Sequence, residues 1–398
     1  MIDSKILKKA FIYVKDKLFL EKTNLIYDHV CNDCEKDFPT SLEIERGYPN
    51  PCGYSTGMED GMINGATMLD ALLIKIEKEN DLDAICFAKK IVKGMLDTAL
   101  ASNEEGFIPR AVCVTDGKTH YTDSSRDQYT MFAFAMHRYF NSKICSKEEK
   151  DKIKKVAVSV AKRLKKNVTK ETDYDALTSD GKKTLATVMW GDNLDNHEYL
   201  RLPMLYLLAY ETSGDESWLK EYKALREDAY KNSLPMIEYW ALYALEQMQA
   251  SIVLIYDVEK EIVWKERYLN LMNVVADYVE NMVDKVAQKI ENYTNYNQKQ
   301  ICFRELPLVK QERFLKLGYE NAVYPSQPDI KEFFALQDGA QVAIIVGLVP
   351  NRKPRPKTIE LLKNSFYKID LNKHERNTPL FFIDGFYRAS INEQRCFL

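Results

Sequence analysis

The sequence predicts an all-α protein folded as an (α/α)6 toroid, a six-hairpin barrel with an inner and an outer ring of helices. Three observations predict it. Helical periodicity recurs along the chain, and it recurs in pairs. In each pair one helix is apolar nearly all round, and therefore buried, while the other is charged on one side, and therefore at the surface. The pairs are also too unevenly spaced for a solenoid, which would hold a fixed period. Alternating buried and surface helices describe an inner ring wrapped by an outer one, and residues 1–398 read as one domain.

The first helix spans about residues 3–20, where basic residues are scattered among apolar ones, so it reads as amphipathic rather than as a signal peptide. An apolar helix follows over about 59–78 and a charged one over 83–101. The next pairs are 126–141 with 146–166, 198–212 with 216–231, and 236–256 with 259–286. The last apolar helices cover 337–348 and 382–395, with a charged one at 356–368 between them. Gly, Pro and Asn gather between these segments, and no multi-strand alternation appears.

Composition removes several function classes. Lys plus Arg total 56 against 59 Asp plus Glu, a net charge of −3, without the basic excess of a nucleic-acid surface. The cluster Lys162, Arg163, Lys165, Lys166 suits the solvated C-terminus of a surface helix. No apolar run approaches the ~20 residues of a membrane helix. Of the eight cysteines, Cys31 and Cys34 form a lone C-x-x-C, lacking the second pair of a zinc site and the βαβ setting of a redox motif. The unpaired-looking cysteines and the absence of a signal point to the cytoplasm, with the periplasm open should a signal have been removed. Phosphate-loop, dinucleotide and zinc-hydrolase motifs are absent, so neither cofactor nor metal is expected.

The links are asymmetric. Inner-to-outer links are short and charged (KENDLD, TSGDES, YDVEKE), whereas outer-to-inner links such as 102–125, 167–197 and 287–336 are long. Long loops gathered on one face of a domain are usually functional. The mouth at the N-terminal ends of the inner helices is therefore the expected site.

Three mouth segments mix carboxylates with Tyr, Trp, Arg or His: Tyr48 to Gly61, Gly106 to Tyr129, and Trp190 to Arg201. Aromatic faces beside carboxylates and amides suit a sugar ring. Cleaving a glycosidic bond typically takes two carboxyl groups, and Asp60 and Asp127 each begin an inner helix. Acidic residues near other inner-helix starts (Glu198, Glu238, Asp338, Asp384) fit plain helix-dipole stabilisation. Arg126 and Arg110 offer planar forks for a substrate carboxylate. A lyase alternative rests on Asn196, His197, Tyr199 and Arg201, with His or Tyr taking the C5 proton of a uronate. His137 reads as core, and a non-catalytic glycan-binding protein remains a third reading.

Through Gly57-Met58-Glu59-Asp60, Gly106-Phe107-Ile108-Pro109-Arg110 and Ser124-Ser125-Arg126-Asp127-Gln128-Tyr129, the chain resembles the six-hairpin glycosidase superfamily. Within it, the chain looks nearest to bacterial unsaturated glucuronyl hydrolases and other uronic-acid-directed glycosidases. In those hydrolases two aspartates at the starts of successive inner helices flank the sugar, so the resemblance implies Asp60 and Asp127 as the pair. Glu59-Asp60 stands where those enzymes often carry His-Asp, which leaves ordinary hydrolysis and hydration chemistry both open. The expectation is a glycoside hydrolase acting on oligosaccharides, those that contain a uronic acid among them. Asp127 is taken as general acid and Asp60 as base, with Arg126 and Arg110 holding the sugar and Tyr54, Tyr129 and Trp190 stacking on it. Glu59, Gln128, Asp192, His197 and His120 complete the expected binding set.

Overall fold

The computed structural model describes residues 4–234, 241–292, 299–328 and 330–391. The rings are made by α1 (Ser4–Tyr13), α2 (Gly61–Glu79), α3 (Leu82–Ala99), α4 (Arg126–Phe140), α5 (Lys147–Asn167) and α6 (Arg201–Ser213). They are completed by α7 (Glu216–Asn232), α8 (Leu242–Val258), α9 (Ile262–Asn281), α10 (Ile330–Gly347), α11 (Pro356–Phe366) and α12 (Thr378–Ile391). Each even-numbered helix packs on the next, and α12 packs back on α2, so the inner ring closes. The odd-numbered helices pack outside, with α1 against α12 completing the sixth hairpin. The chain is an (α/α)6 toroid.

Several boundaries differ from expectation. The first helix ends at Tyr13, and a π-helical turn leads into a two-residue strand pair, Phe19–Leu20 with Leu25–Ile26. The charged stretch expected at 259–286 divides into α9 and a short helix, Val283–Glu291. The expected start of the fourth inner helix at Met236, with Glu238, lies outside the described residues, as does the chain beyond 391. Helix α10 starts at Ile330, so Asp338 sits well inside it, and Asp384 is likewise internal to α12. Gln-Asp-Gly read as a helix start because glycine breaks helices in isolation. Here Gly339 permits close packing, since a Cβ there would lie 2.2 Å from Ser365 Oγ on α11.

The two ends of the barrel are finished differently. On the short-link face three of the outer helices, α3, α5 and α7, are capped: Asp81 accepts from the Ala84 N–H at 3.0 Å, Asp215 accepts from Ser217 N–H at 2.9 Å, and Ser146 with Glu149 forms a capping box. On the other face α2, α4, α6 and α8 begin without a side-chain cap. Their positive dipole ends point into the mouth. Neither Asp60 nor Asp127 is spent on capping.

Polar networks tie the inner ring together at two depths. Near mid-height, buried Asp70 of α2 binds Arg138 of α4 (Nε to Oδ1, 3.0 Å) and Arg388 of α12. Near the short-link end, His137 of α4 lies between Glu211 of α6 (2.8 Å) and Asp257 of α8 (3.2 Å). His137 is buried, as expected, but it is ionically paired. Burial alone would lower its pKa, yet the Asp257 and Glu211 carboxylates outweigh that and hold it at about 9. A pKa raised on folding stabilises the protein fully below the unfolded value of about 6.5, and that contribution fades as pH rises through about 9. His137→Gln is accordingly expected to melt well below the wild type near pH 6, with the gap narrowing towards pH 10. Parallel thermal melts at the two pH values check this.

Candidate active site

A cavity of about 730 Å³ opens at the long-link mouth, lined by Asp60 and Asp127 and also by Asp28, Glu59, Arg110 and Arg126. The first inner-helix turns carry the carboxyl pair. Asp60 precedes α2, and its Oδ1 accepts from Gln128 Nε2 at 3.1 Å. Gln128 is buried, so it is no substrate contact. Its amide also donates to Glu59 O (3.0 Å), and its carbonyl accepts from the Met62 N–H (3.2 Å). One side chain on α4 thus sets the place of Asp60 relative to its own neighbour, Asp127. Asp127 pairs with Arg201, the first residue of α6. The Asp127 side chain is 31% exposed while that of Arg201 is 1% exposed, so the carboxylate faces the cavity and the guanidinium backs it.

The two carboxyls sit in opposite electrostatic settings. Burial raises Asp60, and Asp127 raises it further against the opposing pull of Arg110, leaving its pKa at about 6. Burial would also raise Asp127, but Arg201, Arg126 and Arg110 outweigh it and hold Asp127 below the usual carboxylate range. Next to Asp60, burial and the Asp60 charge push Glu59 up to about 7. Asp28 joins this group: it accepts from the Glu59 N–H and from Asn64 Nδ2, each at 2.8 Å, and is raised by burial and by Asp60 and Glu59.

The two expected clamp arginines are already engaged. Arg110 donates to Tyr54 Oη (3.2 Å), Ser124 O (3.2 Å) and Glu59 O (3.3 Å), and only 4% of it is exposed. Arg126 donates to Val188 O at 2.6 Å and pairs with Glu198, which explains the acidic residue ahead of α6. Tyr54 lines the cavity, and its ring already carries the guanidiniums of Arg110 (4.8 Å) and Arg313 (5.1 Å).

Other expected contacts lie off the cavity. Tyr129 is core, its hydroxyl accepting from the Ile108 N–H at 3.3 Å. Two residues beyond Asp127, it points to the other side of α4, because i and i+2 do not share a helix face. Trp190 packs edge-on against Tyr199, Asp192 is exposed in a turn, and His120 sits against Phe107 with Nδ1 2.8 Å from Tyr121 O. His197 is buried beside Glu198, and Tyr199 donates to Gly191 O at 3.2 Å. None of these six residues lines the cavity, His197 and Tyr199 of the lyase reading among them.

Besides Tyr54, the aromatic groups that line it are Tyr243, Tyr324, Phe334 and Phe381, of which Tyr243 and Phe334 are exposed. Tyr243 is the second residue of α8, as Asp127 is of α4, and Asp127 and Asp60 both act on its hydroxyl. Applying the first-turn rule to aromatics as well as to carboxylates would have found it. Buried His29 also lines the cavity, stacked on Phe38 at 4.6 Å, with burial and Arg376 lowering its pKa to about 4. On the same segment Cys31 and Cys34 form a disulfide, correcting their reading as unpaired. Among the described residues no group of three or more His, Cys, Asp or Glu comes together to hold a metal, and no helix is long and apolar enough to cross a membrane.

In backbone trace the chain is similar to the GH76A α-1,6-mannanase from Salegentibacter sp. HEL1_6, at 10% identity, 98% coverage of this chain, 99% of that one and a TM-score of 0.47. It is similar also to an inactive variant of that α-1,6-mannanase in complex with α-1,6-mannotriose, at 11% identity, 98% and 99% coverage and a TM-score of 0.45. A third likeness is to a mutant of a reducing-end-xylose releasing exo-oligoxylanase, at 13% identity, 98% and 93% coverage and a TM-score of 0.39. No protein-family model and no curated protein matches the chain.

Proposed function

We propose that the cavity is the active site of a glycoside hydrolase acting on an oligosaccharide, with Asp60 as general acid and Asp127 as base or nucleophile. The observation that carries this is the divergence of the two environments. Two carboxyls at one cavity mouth are pushed apart, Asp60 up to about 6 and Asp127 down. Such a split separates an acid from a base. It reverses the roles expected from sequence, because the Arg201 pairing that keeps Asp127 ionised is invisible there. Exposed Tyr243 and Phe334 supply stacking faces for sugar rings. Arg313 lines the wall, exposed and bonded to no carboxylate among the described residues. It replaces Arg110 and Arg126 as the group to meet a uronate along the chain.

A pH–rate profile tests the roles. An acid must enter the reaction protonated, so kcat/KM should fall as pH rises through about 6, where Asp60 ionises. A rate that instead rises through that value would make Asp60 the base. Gln128→Leu removes the amide that places Asp60, and small displacements at a reacting centre cost up to about 10²-fold in rate. The expected result in steady-state kinetics is a fall in kcat approaching that size, with KM nearly unchanged.

A further inference from the structure

Below the carboxyl pair the cavity wall changes character. Glu246 and Gln247 of α8 line it with Gln341 of α10, and Met131 and Phe381 add apolar surface. At 1.5 Å per residue, Glu246 lies about 5 Å deeper along α8 than Tyr243. The three polar residues are 3%, 3% and 2% exposed. Glu246 takes a hydrogen bond from Gln341. Its Oε2, and Gln247 Oε1, have no hydrogen-bond partner among the described residues. Buried polar atoms are nearly always paired, so two open ones on one cavity wall are groups left for a ligand. No cation acts on Glu246, and burial pushes its carboxyl up to about 8. The floor therefore offers neutral donors and acceptors, with the Asp70 carboxylate behind it.

We propose that this floor is a subsite for a neutral, polyhydroxylated ring, a plain hexose and not a uronic acid, hydrogen-bonded by Glu246, Gln247 and Gln341. Hydroxyls both donate and accept, which matches a protonated carboxyl beside an amide oxygen. Met131 and Phe381 meet the C–H surface of the ring. A carboxylate there would be desolvated with no cation to pair it. The proposal rests on the hydrolase reading only for its place beside the bond to be cleaved.

Binding is measured without turnover, by calorimetry of the full chain with methyl thioglycosides of glucose, mannose, galactose and glucuronic acid. At least one neutral thioglycoside should bind about tenfold or more tighter than the glucuronide. Gln247→Leu and Glu246→Leu should each weaken it by about tenfold or more, and Glu246→Gln, which keeps a neutral hydrogen-bonding head, should weaken it less. Matching melting curves identify the variants that fold, and Glu246→Gln keeps the comparison open should a leucine variant not. Equal or tighter binding of the glucuronide, unchanged binding in the folded leucine variants, or no binding of any neutral probe would overturn the proposal. Neutral-ring binding at the floor without cleavage of any oligosaccharide would uphold it and would instead remove the hydrolase reading.

Discussion

Asp127→Asn is expected to lower kcat by about 10²–10⁴-fold, the range over which a positioned acid or base contributes. Asparagine keeps the shape of the side chain but has no charge with which to accept a proton or attack carbon. The substitution also removes the anion that Arg201 pairs with, and Arg201 is only 1% exposed. Some loss of stability should therefore accompany the loss of rate, because an unpaired buried guanidinium is costly. Asp60→Asn separates the two effects. It leaves the Arg201 pair intact, so it should lose comparable activity while melting close to the wild type. Retained turnover in a folded Asp127→Asn protein would remove Asp127 from the chemistry.

The second large effect is on the fold. Asp70 is 2% exposed and joins α2 to α4 through Arg138 and to α12 through Arg388. Burial would raise its pKa, but Arg388 and Arg138 outweigh that and hold it below the usual range. Breaking a buried ion pair by removing one partner costs about 3–5 kcal/mol. Asp70→Asn leaves two guanidiniums facing a neutral amide, so a loss of about that size is expected in urea unfolding. A difference below about 1 kcal/mol would mean that other contacts hold the ring closed at this point.

The toroid was legible because its signal is repeated. Each inner helix is apolar round most of its surface and each outer helix is not, and six repetitions make errors at single boundaries harmless. Link lengths then singled out one face, and the cavity opens there. Boundaries failed where packing overrode local preference, as at Gly339, whose missing Cβ admits Ser365. Individual contacts failed for two reasons. Tyr129 and Gln128 were grouped with Asp127 by proximity in sequence, although about 100° of rotation per residue turns them to other neighbours. The contact of Asp28 with Glu59 and the pairing of Arg201 with Asp127 could not be found that way, because the partners lie 31 and 74 residues apart. The acid and base roles depend on such distant charges, which is why the roles proposed here differ from those expected from sequence.

We propose that the Asp60–Asp127 pair cleaves glycosidic bonds by hydrolysis. The most direct measurement is release of reducing ends from a panel of neutral and uronic-acid oligosaccharides by the wild type, Asp60→Asn and Asp127→Asn, with ultraviolet absorbance followed in the same samples. New reducing ends are expected from the wild type on at least one substrate, with unchanged absorbance and near-silence from both folded variants. A gain in absorbance would mean elimination, and cleavage by either variant at the wild-type rate would mean that the pair is not the catalyst. Either result would rule out hydrolysis by this pair.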